Sequence, residues 1–341
     1  EIMPSLVGSE MCIRDRDKNI IMEKYLNYKG ISPFPDDFDE FWNEEIRKAD
    51  EFFEKELKYE MIKKDFGIPF AECYDLYFNG TGGARIYSKL IIPKEVKDKK
   101  IPFVLKFHGY QGQSSDWSRN IGLVASGMGL AMMDVRGQAG KSQDNGIFDG
   151  ITVRGHIVKG VKEGRDKLFY KDVYLDTYLL SKIIENFEFT DKENIKVYGE
   201  SQGGALSLVC AALNQNIKDS FIIYPFLSDY KKVVEMHTIT EAYVELYRYF
   251  KFIDPFHETE EEFFNTLSYI DVKNFAHRIK GKLVFIASLM DDVCPPETQF
   301  AVYNNLECEK KLLVMPEYSH EAMNVKVQDK IFNWATGSSI E

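Results

Sequence analysis

The chain has 341 residues, of which 44% are hydrophobic and 28% charged, and its formal net charge is −11. This composition is typical of a globular protein with a buried core and excludes a fibrous or disordered chain. The acidic balance argues against partners such as nucleic acid or an anionic membrane, because phosphate groups are bound by basic surfaces. A neutral substrate is compatible with this charge.

The cysteines and the apolar runs restrict the setting in which the chain works. The five cysteines are widely spaced and odd in number, which favours reduced thiols in the cytoplasm over a disulfide framework. No C-x-x-C pair or Cys/His cluster indicates a metal site. The longest apolar runs have the length of strands, so we expect no membrane-spanning helix.

The first part of the chain is set apart from the rest. Residues 1–21 are expected to be a non-native or disordered segment, because the stretch PSLVGSEMCIRDR resembles translated sequencing-adaptor read-through. The segment also lacks the apolar stretch of a secretory signal. We expect the native start at Met22 and a single domain over residues 22–341.

The first predicted elements are a helix and a hairpin. Aromatic residues recur at helical spacing behind acidic residues, which predicts an amphipathic N-terminal helix over residues 36–57 that packs on the outside of the domain. Residues 71–93 form two alternating runs around a Gly-rich turn, which predicts a hairpin.

Six short apolar runs then alternate with helix-length segments such as residues 170–187. Because both faces of these strands are apolar, the pattern predicts an α/β fold with a mostly parallel twisted sheet and helices on both faces. A segment rich in aromatic and acidic residues, about 229–269, is predicted to be a helical insertion over the mouth of the site. A crossover helix with extra surface turns is the alternative. The six runs are IPFVLKFHG, GLAMMDVRG, IKVYGE, SFIIYPF, KLVFIAS and KLLVMPE.

The stretch YGESQGGALS, residues 198–207, contains a G-x-S-x-G motif centred on Ser201. The motif alone is weak evidence, because a random chain of this length would contain one roughly one time in ten. Its context is more specific, since a predicted strand precedes Ser201 and a predicted helix follows it. In an α/β-hydrolase fold this turn is the nucleophile elbow, where glycines let backbones pass closely and the hydroxyl projects above the sheet.

A serine nucleophile needs a base, and the base needs a carboxylate that orients it. In this fold the chain order is Ser, then Asp or Glu, then His. Of the histidines after Ser201, only His320 follows the last predicted strand, on a loop beyond its carboxyl end. Asp291 and Asp292 follow the fifth strand. Adjacent side chains on a loop point in different directions, so only one of the two can address His320.

The oxyanion of such a reaction is held by two backbone N–H groups. Gln202, which follows the nucleophile, is expected to donate one of them, and the loop FHGYQG after the first of the six strands is expected to donate the other. In that loop Tyr110 is the expected donor. We expect His108 to shape the loop by hydrogen bonding rather than to transfer a proton.

Three motifs occur in a fixed order along the chain: RGQ at residues 136–138, G-x-SQGG at 199–204 and HE at 320–321. They are accompanied by DFDEFW, FHGY, TLSYIDVKNFA and MDDVCPPET, and together they extend from about Tyr28 to Trp334. On these motifs the sequence resembles the carbohydrate esterase family that includes acetyl xylan esterase and cephalosporin C deacetylase. RGQ, SQG and HE in this order are specific to that family.

The resemblance implies a role for each candidate site residue. Ser201 is the implied nucleophile and His320 the base, and Asp291 is the implied acid because the family's acid is followed by two residues and then Cys-Pro-Pro. Tyr110 and Gln202 match the oxyanion positions. The resemblance also implies no cofactor and no metal, and a homo-oligomer, often a hexamer, in the cytoplasm.

Charged residues near the predicted site raise two further questions. Glu200 stands where many members of the family have a small residue, which puts a carboxylate beside the nucleophile. Arg136 and Glu321 are expected at strand ends on the same side of the sheet, so an ion pair between them could brace the loop of His320. Two independent surface charges are the alternative.

The sequence therefore predicts a serine esterase that removes acetyl groups from esterified sugars through an acetyl-enzyme. Acetylated xylo-oligosaccharides and cephalosporin C are the candidate substrates. A broader small-acyl carboxylesterase and a serine peptidase on the same fold are the alternatives. A non-catalytic binding protein is a further hypothesis, but such proteins commonly lose a triad member, whereas this chain keeps all three residue types in order.

Overall fold

The structure is a computed structural model that describes residues 23–94, 99–148, 155–237, 239–321 and 325–340, so the predicted non-native segment 1–21 lies outside it. The described residues contain a sheet of nine strands. The strands are β1 (Tyr59–Lys64), β2 (Ala71–Asn79), β3 (Arg85–Pro93), β4 (Ile101–Phe107), β5 (Gly129–Met133), β6 (Thr190–Glu200), β7 (Asp219–Ile223), β8 (Lys282–Ser288) and β9 (Lys310–Met315).

Helices cover this sheet on both faces, and each helix among the described residues is too short or too polar to cross a bilayer. The helices are α1 (Phe38–Lys55), α2 (Ile121–Ala125), α3 (Phe169–Glu185), α4 (Gln202–Leu213), α5 (Tyr230–Glu235), α6 (Val244–Phe252), α7 (Glu260–Leu267), α8 (Pro296–Asn305) and α9 (Val327–Thr336).

The strands are arranged in the order β1-β2-β3-β5-β4-β6-β7-β8-β9. The neighbouring strands in the part of this order that runs β5-β4-β6-β7-β8-β9 are all parallel. At the other side of the sheet, β1 pairs with β2, β2 with β3, and β3 with β5, all antiparallel. The strands β5 and β7 are buried along their whole length, as expected for strands that are covered on both faces. The predicted hairpin, the six predicted strands and the mostly parallel sheet are therefore confirmed.

Of the nine strands, β1 is the one that the sequence does not predict. Its residues YEMIKK are exposed on almost every position, so no alternation of apolar and polar residues marks it as a strand. It pairs antiparallel with the outer edge of β2, where Tyr59 lies opposite Phe78 and Lys64 opposite Cys73. Its charged side chains suit an edge strand, since they oppose pairing with another chain.

The predicted N-terminal helix is α1, which packs its aromatic stripe against α3 and the chain before β8. Phe38 and Trp42 are fully buried. The Trp42 ring lies 4.9 Å from the ring of Phe275 and 6.0 Å from that of Tyr174, and its Nε1 donates a hydrogen bond to the carbonyl oxygen of Tyr269. Phe38 and Trp42 of the stripe are thus part of the core, as predicted.

The segment between β7 and β8 contains α5, α6 and α7, followed by a 3-10 helix at Val272–Arg278. Aromatic side chains of this segment are buried: the ring of Tyr243, before α6, lies 4.6 Å from that of Phe226, which follows β7. The connection from α5 to α6 reaches the pocket of Ser201, where Thr240 and Glu241 form part of the wall. The segment thus borders the mouth of that pocket.

Arg136, which follows β5, forms a buried ion pair with Asp176 of α3. Its Nε and Nη2 atoms each lie 2.7 Å from one oxygen of Asp176, and Nη2 also donates to the carbonyl and hydroxyl oxygens of Thr81 at 3.1 Å. Burial, opposed by Arg136, raises the pKa of Asp176 to about 6. The hypothesis that Arg136 pairs with Glu321 is therefore wrong, because the guanidinium faces α3 and the β2–β3 turn.

Replacing Asp176 with asparagine tests the importance of this pair for the fold. Asp176→Asn leaves a buried guanidinium without its bidentate partner, so we expect the free energy of unfolding in urea to fall by about 3–5 kcal/mol. The matched control is Glu60→Gln, which neutralises the partner of Arg85 in a half-exposed pair and should cost less than about 1 kcal/mol. Equal losses in the two variants would contradict the prediction.

Candidate active site

Ser201 lies on a sharp turn between β6 and α4 with φ 56° and ψ −122°, a backbone conformation that residues other than glycine rarely adopt. Its N–H donates to the carbonyl oxygen of Ile223 on the neighbouring strand. A Cβ on Gly199 would lie 2.4 Å from the backbone of Gly203, and a Cβ on Gly203 would lie 2.1 Å from the carbonyl oxygen of Phe107. Both motif glycines are therefore required by close backbone contacts, as the elbow interpretation predicts.

His320 and Asp291 are joined by a hydrogen bond between Nδ1 and Oδ2, at 2.9 Å. Because a carboxylate oxygen accepts, the imidazole proton lies on Nδ1 and Nε2 is left to accept a proton, as a general base must. The other oxygen of Asp291 accepts the backbone N–H groups of Val293 at 2.9 Å and Cys294 at 2.7 Å, which fixes the carboxylate. Asp291 is 4% exposed.

The structure separates the candidates that sequence reasoning left open. Asp292 is exposed, and the hydroxyl of Ser319 donates to it at 3.2 Å. Among the described residues, no hydrogen bond or ion pair joins Asp292 to a histidine. The remaining histidines after the serine, His237, His257 and His277, lie outside the pocket described next. Of the two adjacent aspartates, Asp291 alone is therefore placed on the predicted base.

Ser201 and His320 line one pocket with a cavity volume of about 350 Å³, within the usual range for small-molecule sites. Its walls combine aromatic rings, which suit a short acyl group, with carboxylates, which can accept hydrogen bonds from hydroxyl groups. The rings belong to Tyr110, Tyr224 and Phe226, and the carboxylates to Glu200, Glu241 and Glu321.

The two predicted oxyanion donors follow the carboxyl ends of neighbouring strands, β4 and β6. Phe107 at the end of β4 pairs with Gly199 of β6, so the loop that carries Tyr110 begins beside the turn of Ser201. Tyr110 lines the pocket. Helix α4 begins at Gln202, and the N–H groups of a helix's first turn have no acceptor within the helix. Gln202 thus follows the serine directly, and Tyr110 lines the same pocket, while their role as oxyanion donors stays a prediction.

His108 has both ring nitrogens occupied. Nδ1 donates to the carbonyl oxygen of Gly109 at 2.7 Å, and Nε2 accepts the N–H of Val135 at 3.0 Å. Burial lowers the pKa of His108, which keeps the ring neutral. This geometry agrees with the expectation that His108 shapes the loop and does not transfer a proton.

The side chain of Gln202 is held by an amide pair that sequence reasoning missed. Nε2 of Gln138 donates to Oε1 of Gln202 at 2.7 Å, and Nε2 of Gln202 donates back to Oε1 of Gln138 at 3.1 Å. The hydroxyl of Tyr170 also donates to Oε1 of Gln202, at 2.8 Å. The RGQ motif pointed to Gln138 but gave it no role. The structure shows that this residue anchors the first residue of α4.

Cys294 lies beneath the serine, with its Sγ 4.0 Å from Oγ of Ser201. Burial and the nearby Asp291 raise the pKa of its thiol. Asp291, Cys294 and His320 offer atoms within 4.8 Å of one another that could ligate a metal. Because Asp291 and His320 already bind each other, we interpret the group as a hydrogen-bonded set. The absence of a metal requirement stays a prediction.

The sheet and the position of the serine define the class of the protein, and comparison with known proteins defines its family. A mostly parallel sheet with a serine on the turn after its central strand β6 is the α/β-hydrolase fold predicted from the sequence. The chain belongs to the acetyl xylan esterase family, whose model matches residues 18–338.

The proteins similar to this chain include two acetyl xylan esterases of known structure and one curated acetyl esterase. Acetyl xylan esterase 1 from Thermoanaerobacterium sp. JW/SL YS485 is 44% identical with a TM-score of 0.87, over 92% of this chain and 98% of that chain. The acetyl xylan esterase from Paenibacillus sp. R4 is 30% identical with a TM-score of 0.87, over 93% and 99%. Acetyl esterase Axe7A from Xylanibacter ruminicola is 28% identical over 298 residues, 86% of this chain, which spans only 65% of that protein's length.

A pair of asparagine substitutions tests the assignment of the acid. Asp291→Asn keeps the shape of the side chain but favours the wrong imidazole tautomer, so we expect kcat for p-nitrophenyl acetate to fall by about 10⁴-fold. The neighbouring Asp292→Asn makes the same chemical change on an exposed residue and should alter kcat by less than about twofold. Steady-state hydrolysis rates measure both, and a larger loss in Asp292→Asn would overturn the assignment.

Proposed function

We propose that this protein is a serine esterase that removes acetyl groups from sugars with Ser201, His320 and Asp291. The observation that carries the proposal is the hydrogen bond between His320 and Asp291 in the pocket of Ser201, a serine held in the conformation of a nucleophile elbow. Membership of the acetyl xylan esterase family supports the acetyl group as the acyl group removed.

In this mechanism Oγ of Ser201 attacks the acetyl carbonyl carbon while Nε2 of His320 takes the hydroxyl proton. The backbone N–H groups of Gln202 and Tyr110 hold the resulting oxyanion, and Asp291 stabilises the charged imidazole. The ester C–O bond then breaks, and His320 gives its proton to the sugar oxygen. A water molecule, deprotonated by His320, attacks the acetyl-enzyme and releases acetate, and the proton returns to Ser201.

The pocket supports a small acyl group on a hydroxyl-rich acceptor. The rings of Tyr224 and Phe226 offer an apolar surface to a methyl group, and the carboxylates of Glu200, Glu241 and Glu321 can accept hydrogen bonds from sugar hydroxyls. Acetylated xylo-oligosaccharides are therefore the proposed substrates. We propose cephalosporin C as a weaker substrate, because its own carboxylates would meet those of the pocket.

Removing the serine hydroxyl tests the function directly. In Ser201→Ala we expect acetate release from acetylated xylo-oligosaccharides and from p-nitrophenyl acetate to fall by about 10⁴-fold or more. The control Ser207→Ala makes the same change at a second serine, further along α4, and should keep most of the activity. Hydrolysis of the aryl ester alone would favour a broader carboxylesterase. No Ser201-dependent hydrolysis of either would favour a binding protein on a hydrolase fold.

We also propose that the protein acts as a homo-oligomer in a reducing, cytoplasmic setting. Free thiols at Cys73 and Cys210 support the setting. Large apolar side chains of the insertion support self-association, since Ile239 and Phe252 are each 67% exposed and Phe256 is 81% exposed.

The oligomer makes a measurable prediction. Light scattering behind size-exclusion chromatography should give a multiple of the 39.5 kDa chain mass, with six copies as the number that the resemblance implies. Phe256→Asp places a charge on the exposed apolar surface and should shift the mass towards one copy. A wild-type protein that elutes with the mass of one copy would overturn the proposal.

A further inference from the structure

Glu245, the second residue of α6, is a buried carboxylate that the mechanism above does not use. It belongs to the segment between β7 and β8 and is 1% exposed. Its Oε1 accepts the N–H of His156 at 3.0 Å, and its Oε2 accepts the N–H of Val158 at 3.0 Å. Burial, opposed by these N–H groups, raises the pKa of Glu245 to about 7.

The same carboxylate holds the side chain of Tyr110. The Tyr110 hydroxyl donates to Oε1 of Glu245 at 3.2 Å. It also accepts the N–H of His156 at 3.1 Å, so this N–H is shared between the hydroxyl and Oε1. The Tyr110 ring lies 5.4 Å from that of Phe226 and 5.9 Å, edge-on, from that of His156. Tyr110 is thus fixed at both its ring and its hydroxyl.

The backbone of a neighbouring loop also lies close to this carboxylate. A Cβ on Gly155 would lie 2.1 Å from Oε1 of Glu245, so glycine lets the chain approach the carboxylate. His156 continues the connection, because its Nε2 donates to the carbonyl oxygen of Gly137, next to Gln138. The carboxylate of Glu245 therefore links the insertion, through neighbouring loops, to both proposed oxyanion donors.

We propose that Glu245 is a positioning residue that holds the backbone N–H of Tyr110 where the oxyanion forms, which makes the insertion part of the catalytic apparatus. The inference rests on the proposed function, since it assumes that Tyr110 is an oxyanion donor. Oxyanion donors act only when they are held in place before the reaction, and displacement of a reacting group by about 1 Å can cost 10²-fold in rate.

The expected signature is a loss of kcat with little change in KM, because the oxyanion is present only in the transition state. Glu245→Gln keeps the size of the side chain but turns an NH₂ group towards an N–H donor. It should lower kcat for p-nitrophenyl acetate about 10- to 100-fold. Tyr110→Phe keeps the backbone donor, removes the hydroxyl and should give a similar loss. Glu262→Gln, an exposed change on α7, is the matched control and should leave kcat unchanged.

A double variant separates positioning from a structural role. If Glu245 acts through the Tyr110 hydroxyl, Glu245→Gln with Tyr110→Phe should lose no more kcat than the worse single variant. Losses that multiply, or a lowered melting temperature with unchanged kcat, would overturn the proposal. If Glu245→Gln does not fold, Tyr110→Phe still removes the hydrogen bond between Tyr110 and Glu245, and an unchanged kcat in that variant would overturn the proposal.

A fluorophosphonate probe separates this inference from the proposed function. The probe labels an activated serine whichever ester is the natural substrate. When the serine attacks the phosphorus of the probe, negative charge develops on a phosphoryl oxygen that the oxyanion donors hold. If acetyl esters are not hydrolysed but wild type is labelled at Ser201, slower labelling of Glu245→Gln would still support the positioning role. Labelling at an equal rate in the two proteins would refute it, and wild type that is not labelled would refute both.

Discussion

Parallel strand pairing is the constraint on which the candidate site depends. Because β4, β6, β7, β8 and β9 run in the same direction, their carboxyl ends meet at one edge of the sheet. Phe107 pairs with Gly199, and Glu200 pairs with Ile223. The loops that follow these ends carry Tyr110 and Ser201, and the loops after β8 and β9 carry the predicted acid and base. The parallel pairing of the strands therefore brings residues that are far apart in sequence to the same end of the sheet.

The chemistry of the site depends on how differently the histidines are surrounded. His108 is buried with both nitrogens engaged, and burial lowers the pKa of His156 to about 4, so both are held neutral. His320 differs in having a carboxylate on Nδ1 while 21% of its side chain stays exposed in the pocket of Ser201. It can therefore accept a proton on Nε2 and have the resulting charge stabilised by Asp291.

Much of this arrangement could be predicted from the sequence because the signals are local. Apolar runs mark strands that are buried on both faces, and glycines around Ser201 mark a turn with close backbone contacts. Contacts between distant side chains leave no such pattern, so the partner of Arg136 was predicted wrongly. The contacts of Gln138 and Glu245 were missed for the same reason, since an amide or carboxylate on a helix or loop looks like an ordinary solvated residue. Strand β1 was missed because an exposed edge strand has no apolar face to reveal it.

The conformation of Ser201 also has a consequence for how the protein loses activity. A residue other than glycine held at such angles stores about 1–3 kcal/mol of strain. The strain is maintained by bonds from neighbouring loops, including the N–H of Phe226 donating to the carbonyl oxygen of Ser201. We expect mild denaturant or warming to loosen these loops first and to let the turn relax while the sheet stays paired. Inactivation should therefore precede global unfolding, so we expect the loops and not the core to set the conditions under which the protein stays active.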